Sequence, residues 1–304
     1  MPIADEDCTM KLYRNFTSQE EIDAEYNIAL NVPDRERWIE WYGQESAKAR
    51  DELDCVLDVR FGPTMDETVD IFPAKNPKAP VFVFIHGGYW FRFCSKDFSL
   101  VARGLVSRGV TVVVTNYSLS PKVTINEITR QSRAVIAWLH REGPGFNADI
   151  SRIFVAGHSA GGQQVGMLVE TDWGNDYGLP FDIIKGGIPI SAVFDLHPLR
   201  YSYLQPKLLL THEIILHQSP RLNVPHSGPP LMVTFGEDET MEFRRQSTDF
   251  LQAWRGNGLQ GELLVQEGKH HLSAIEDLSK ADSSLCNAVI DFMVRCGKGV
   301  VKRN

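Results

Sequence analysis

The chain has 304 residues, 43% of them hydrophobic and 23% charged, and its 31 Lys and Arg against 39 Asp and Glu give a formal net charge of -8. That length fits one large domain, residues 1–304, better than two, and the absence of any basic block or stripe excludes nucleic acid as an expected partner. No apolar run approaches the roughly 20 residues that span a bilayer, so no membrane partner is expected either.

The first stretch, Ser18 to Leu53, is polar with spaced aromatics and reads as helices that pack over something, with Pro33-Asp34 as a helix start. Cys55 to Phe61 and Thr68 to Pro73 are strand-like, parted by Gly62-Pro63. Pro80 to His86 is a continuous apolar run of the kind a central parallel strand needs, because helices cover both its faces. Strand and helix then alternate: helix at Asp97 to Arg108, strand at Val110 to Asn116, helix at Thr124 to His140, strand at Arg152 to Gly157, helix at Gly161 to Glu170. Ile183 to Ser191, Leu231 to Phe235 and Gly261 to Gln266 are further strands, with helices at Thr240 to Arg255 and Ser273 to Cys296. The order implies a mostly parallel central sheet with helices on both faces, in the manner of an α/β-hydrolase fold. Leu196 to Ser227 lacks a clean period. With the N-terminal helices it is expected to form a small helical cap, drawn from about 15–53 and about 196–227.

Five cysteines (Cys8, Cys55, Cys94, Cys286, Cys296) have neither C-x-x-C nor metal-type spacing, and their odd number argues against a full disulfide framework. Met1 to Thr9 is acidic and lacks the positive and apolar regions of a secretory signal. Both observations point to the cytoplasm as the compartment.

Chemistry enters at Gly157-His158-Ser159-Ala160-Gly161, a G-x-S-x-G run that follows an apolar strand and opens a helix. Small residues on either side let a tight turn close and lift the Ser159 hydroxyl clear of the sheet, beside free N–H groups that favour developing negative charge. About 70 residues upstream, His86-Gly87-Gly88-Tyr89-Trp90 also follows a buried strand. A loop that turns two N–H groups toward one point favours glycine. The N–H groups of Gly88, Tyr89 and Ala160 are the expected oxyanion hole, and His86 is expected to brace the loop. A serine hydroxyl needs a histidine to take its proton and a carboxylate to orient that histidine, and in this fold both follow the serine in the chain. The acid must come from Glu237, Asp238 or Glu239 after the strand Leu231 to Phe235, and the base from His270 or His271. Tyr89 and Trp90, with His158 and His270, are candidates to touch substrate, since a flat ring can stack on such side chains. His212 and His217 lack the i, i+4 spacing of a zinc helix, and no metal or cofactor is called for.

His86 to Trp90, the Gly157 to Gly162 elbow, Glu242-Phe243 with Gln246-Ser247, and His271 to Glu276 together resemble kynurenine formamidase (arylformamidase) and bacterial esterase relatives, in the hormone-sensitive-lipase-like branch of the α/β hydrolases. The resemblance runs from about Tyr26 to the final helix. It implies Glu239 as the triad acid, where the vertebrate-type enzymes carry aspartate, with Asp238 as the alternative, and His271 as the base. It implies hydrolysis of N-formylkynurenine-like aryl formamides or of small aryl and short-chain esters. The partner is then a small-molecule substrate, and a homodimer is compatible with everything above. The contrasting expectation is a carboxylesterase without a formamidase role, or, in a different class, a ligand-binding protein on a hydrolase fold.

Overall fold

In the computed structural model, which describes residues 10–297, the apolar runs become strands of one eight-stranded sheet. The stretch Met1 to Thr9, with Cys8, lies outside the described residues. The strands are β1 (Val56–Arg60), β2 (Thr68–Phe72), β3 (Ala79–Ile85), β4 (Thr111–Thr115), β5 (Ala148–His158), β6 (Ile184–Ile190), β7 (Leu231–Gly236) and β8 (Gly261–Gln266). Their spatial order is β1-β2-β4-β3-β5-β6-β7-β8, antiparallel from β1 through β4 and parallel from β4 to β8. Each of the eight falls on a run read as a strand; β5 begins earlier than the residues suggested, at Ala148.

The two-sided burial has a direct cause. Successive side chains of a strand point to opposite faces. In β3, Val81, Val83 and Ile85 enter one hydrophobic cluster while Phe82 and Phe84 enter the other. Helices cover both clusters: α1 (Gln19–Tyr26), α2 (Ile28–Asn31), α3 (Arg35–Glu52), α4 (Val101–Val106), α5 (Ile125–Glu142), α6 (Ala160–Val169), α7 (Trp173–Tyr177), α8 (Gln205–Leu208), α9 (His212–Gln218), α10 (Met241–Gly256) and α11 (Ser284–Gly297). No helix among the described residues is long and apolar enough to cross a membrane.

Two expected helices are broken. Ser273 to Cys296 is a 3-10 stretch at Ser273–Ser279 followed by α11, because the Ser283 hydroxyl accepts from the Cys286 N–H and donates to the Asp277 carbonyl, starting a new helix. Likewise, Asp97 to Arg108 keeps only α4, after a 3-10 turn at Ser95–Asp97.

The chain leaves β3 for β4 on one side, and β5 lies on the other. At such a reversal the loops beyond the carboxyl ends of the two strands part and leave a crevice. Gly88 and Tyr89 of the loop after β3, and Ser159 after β5, line it.

Candidate active site

Ser159 sits between β5 and α6 with φ of 56° and ψ of -116°, a strained conformation for any residue with a side chain. Its N–H donates to the Ile190 carbonyl at the end of β6 (2.8 Å), which ties the turn to the neighbouring strand. The hydroxyl lies 3.0 Å from His271 Nε2, and His271 Nδ1 lies 2.8 Å from Glu239 Oε2. A carboxylate can only accept, so Nδ1 carries the proton and Nε2 presents a lone pair to the Ser159 O–H. Ser159, Glu239 and His271 are all buried.

The three adjacent carboxylates are separated by the turn after β7. The Glu239 N–H donates to the Gly236 carbonyl (3.1 Å), and the returning Glu239 Oε1 accepts from the Gly236 N–H (2.8 Å) and from the Ser191 hydroxyl. Glu237 and Asp238 are left exposed. The structure therefore brings Glu239, and not Asp238, to His271.

The loop after β3 carries positive φ at Gly88 (104°), Tyr89 (49°) and Trp90 (59°). Gly88 is the position where a side chain is excluded, since a Cβ there would lie 2.5 Å from the Arg92 carbonyl oxygen. The N–H groups of Gly88, Tyr89 and Ala160 take no acceptor among the described residues. A cavity of about 300 Å³ opens at this end of the sheet, lined by Gly88, Tyr89, His158, Ser159 and His271 from the sheet side. Its far wall comes from Asn27, Arg35, Ile39, Tyr42 and Tyr203. A larger cleft of about 1030 Å³ lies elsewhere, beside Glu170, Trp173 and Arg295, and none of Ser159, Glu239 and His271 lines it.

Two residues expected at substrate stand apart from the cavity. Trp90 is fully buried, and its indole N–H donates to Gln163 Oε1 (3.1 Å), so it anchors the loop in the core. His270 turns away from His271: its Nδ1 accepts from the Leu272 and Ser273 N–H groups, and its ring meets Trp38 edge-on at 5.1 Å. Tyr89 and His158 do line the cavity, each with a second attachment. The Tyr89 hydroxyl donates to the Tyr26 carbonyl (2.5 Å), and His158 Nε2 donates to the His271 carbonyl (2.8 Å).

The residue reading gave no role of its own to the first half of α10. Phe243 packs its ring 4.3 Å from the His271 imidazole. Glu242 Oε2 accepts from the buried Tyr26 hydroxyl (2.7 Å) and pairs with Arg245, while Gln246 donates to the same hydroxyl (2.6 Å) and accepts from the Phe194 and Asp195 N–H groups. This network fastens α1 and the loop after β6 to the helix that backs His271. The only sign of it in the sequence was the shared Glu242-Phe243 and Gln246-Ser247 pairs.

His86 lies under the loop, stacked on Tyr117 at 4.1 Å, with Nδ1 donating to the Gly87 carbonyl (2.8 Å) and Nε2 buried without a partner. Burial lowers its pKa to about 4, and burial also holds His158 well below the usual histidine range. The unfolded chain binds a proton on His86 below pH ~6.5, whereas the folded chain refuses it until about 4. Stability is thus present above ~6.5 and lost as pH falls. Urea unfolding should show a loss on the order of 2 kcal/mol from His86 between about pH 7 and pH 5. The loss should shrink in His86→Gln, and an equal loss in that variant would remove the assignment.

Residues 82–274 match the model of the α/β-hydrolase fold family, so the chain belongs to that family, and it is a hydrolase. The kynurenine formamidase of Danio rerio is 30% identical over 242 residues, 76% of this chain and 79% of that one. The kynurenine formamidase of Salmo salar is 30% identical over 255 residues, 81% of this chain and 84% of that one. A solved protein from Silicibacter sp. TM1040 superposes with a TM-score of 0.78 at 25% identity, covering 89% of this chain and 99% of that one. The resemblance carried by the motifs is therefore homology over most of the chain.

Proposed function

We propose that the chain hydrolyses carboxylic esters or aryl formamides through an acyl-enzyme on Ser159. The observation that carries this is the unbroken line Ser159 Oγ, His271, Glu239, with both hydrogen bonds at 3.0 Å or less and the hydroxyl opening into a cavity. In the acylation step His271 Nε2 takes the Ser159 proton as Oγ bonds to the substrate carbonyl carbon. The carbonyl oxygen becomes an anion held by the N–H groups of Gly88, Tyr89 and Ala160. His271 then gives the proton to the leaving alcohol or arylamine. Water, activated by the same imidazole, releases the carboxylic acid or formate. Glu239 holds the tautomer and balances the imidazolium charge.

Residues about 15–53 and about 196–227 serve as the cap of a single domain; Asn27, Arg35, Tyr42 and Tyr203 on the cavity wall support this. The partner is a small molecule. The free cysteines Cys55, Cys94, Cys286 and Cys296 support a reducing compartment such as the cytoplasm.

The Danio rerio and Salmo salar relatives, matched over three quarters or more of this chain, are kynurenine formamidases, which supports a formyl-bearing arylamine as substrate. The same machinery accepts aryl esters, because the attacked carbonyl and the oxyanion are alike. Specificity constants for N-formylkynurenine and for p-nitrophenyl esters of increasing acyl length test the reading. With about 300 Å³ available, acetyl and butyryl esters should exceed the decanoyl ester by about tenfold or more. Turnover of N-formylkynurenine far below that of the short esters would move the function to carboxylesterase, and turnover of neither class would end it.

A further inference from the structure

The run Gly186 to Phe194 is apolar apart from Ser191, and Ser191 is fully buried. A buried hydroxyl is costly unless it is hydrogen-bonded, so its partner matters. β6 stops at Ile190, one residue short of the run read as a strand, because Ser191 takes a φ of 52° and leaves the extended backbone. Beyond that break the Ser191 N–H donates to the Thr234 carbonyl in β7 (2.8 Å), and its hydroxyl donates to Glu239 Oε1. One residue earlier, the Ile190 carbonyl accepts from the Ser159 N–H (2.8 Å). Two successive residues at the end of β6 thus hold both ends of the line through His271. Ile190 holds the backbone of Ser159, and Ser191 holds the carboxylate of Glu239.

Glu239 Oε1 takes two donors, the Gly236 N–H (2.8 Å) and the Ser191 O–H, while Oε2 faces His271 Nδ1 at 2.8 Å. A carboxylate held by one hydrogen bond can pivot about it, and a glutamate has one more rotatable bond than an aspartate with which to do so. Donors from two different strand ends remove that pivot. Neither donor belongs to the loop of His271, so the carboxylate is fixed independently of the imidazole it must orient. The Glu239 side chain is closed to solvent, so bulk water does not make good a lost donor. Resting on the reading of Ser159 as nucleophile and Glu239 as its acid, the geometry points to Ser191 as the positioning residue of the triad. Its hydroxyl stops the Glu239 carboxylate from pivoting on the Gly236 N–H and so keeps Oε2 on His271 Nδ1.

Turnover of p-nitrophenyl acetate by Ser191→Ala, made alone and in the Glu239→Gln background, tests this. Alone, Ser191→Ala should lower kcat by about tenfold or more with KM within about twofold, since what is lost is one hydrogen bond to a charged group that substrate does not touch. In the Glu239→Gln background the same change should cost less than about twofold, because a residue that acts through a second one adds nothing once the second is disabled. A residue that merely braced the end of β6 would cost the same factor in both backgrounds. Ser191→Gly removes the hydroxyl too, and glycine adopts a φ of 52° freely, so it should match Ser191→Ala in kcat and carries the test if alanine unfolds the chain. A kcat within about threefold of the parent's, or an equal loss with and without the Glu239 carboxylate, overturns the positioning role while leaving hydrolysis on Ser159 in place. Absence of turnover in the parent overturns both.

Discussion

Ser159→Ala should lower kcat for p-nitrophenyl acetate by about 10⁵-fold, to within reach of what a bound but unattacked ester loses by itself. The hydroxyl is the only atom removed. Alanine tolerates the φ of 56° as well or as badly as serine does, so circular dichroism and the unfolding midpoint should stay close to the parent's. A fluorophosphonate should label the parent and not the variant. Glu239→Gln should cost about 10³ to 10⁴-fold for a different reason. Its amide has one oxygen for the Gly236 N–H and the Ser191 hydroxyl, and then offers an NH₂ to His271. That favours the tautomer with the proton on Nε2, which cannot accept from Ser159. Asp238→Asn, altering an exposed group, should stay within about threefold. Unchanged turnover in Ser159→Ala would sink the acyl-enzyme, and a larger defect in Asp238→Asn than in Glu239→Gln would reassign the acid.

That contrast shows which parts of the site were legible in residues alone. The strands were, because a strand buried on both faces must be apolar throughout, as Val81 to Ile85 and Val112 to Val114 are. The elbow and the His-Gly-Gly loop were legible because each follows such a strand, and topology sets β3 beside β5. Side-chain direction was not. Glu237, Asp238 and Glu239 are chemically near-equivalent in sequence, and only the turn that returns Glu239 to the Gly236 N–H separates them. His270 and His271 diverge because consecutive side chains in a loop leave in different directions, one capping the 3-10 turn and the other facing Ser159. Trp90 adjoins the loop in sequence, yet three successive positive φ values swing its ring into the core. Phe243 escaped a reading from periodicity because an aromatic on a buried helix face looks the same whether it packs on leucine or on an imidazole.

Gly161→Ala should be the most damaging small substitution in the fold, and Gly43→Ala should be its opposite. A Cβ on Gly161 would lie 2.0 Å from the Ile85 carbonyl oxygen and 2.6 Å from that of His86. Both are backbone atoms at the end of β3, so no rotamer change relieves the contact. Either α6 moves off the sheet, dragging Ser159 with it, or the loop carrying Gly88 and Tyr89 is displaced. Overpacking of this kind exceeds the usual 1–3 kcal/mol, so we expect about 4 kcal/mol or more, a fall in unfolding midpoint of roughly 6 °C or greater. Activity in the surviving folded fraction should drop as well, because the same displacement separates Ser159 from the Gly88 and Tyr89 N–H groups proposed to hold the oxyanion. Gly43 lies inside α3, and a Cβ there would meet nothing within 4 Å. Alanine at that position restricts the unfolded chain and should raise stability by up to about 1 kcal/mol. Thermal unfolding and phenyl acetate turnover of the two variants give the answer together. If Gly161→Ala kept the parent's midpoint and rate, the close approach of the elbow to β3 would not be what holds Ser159 in place.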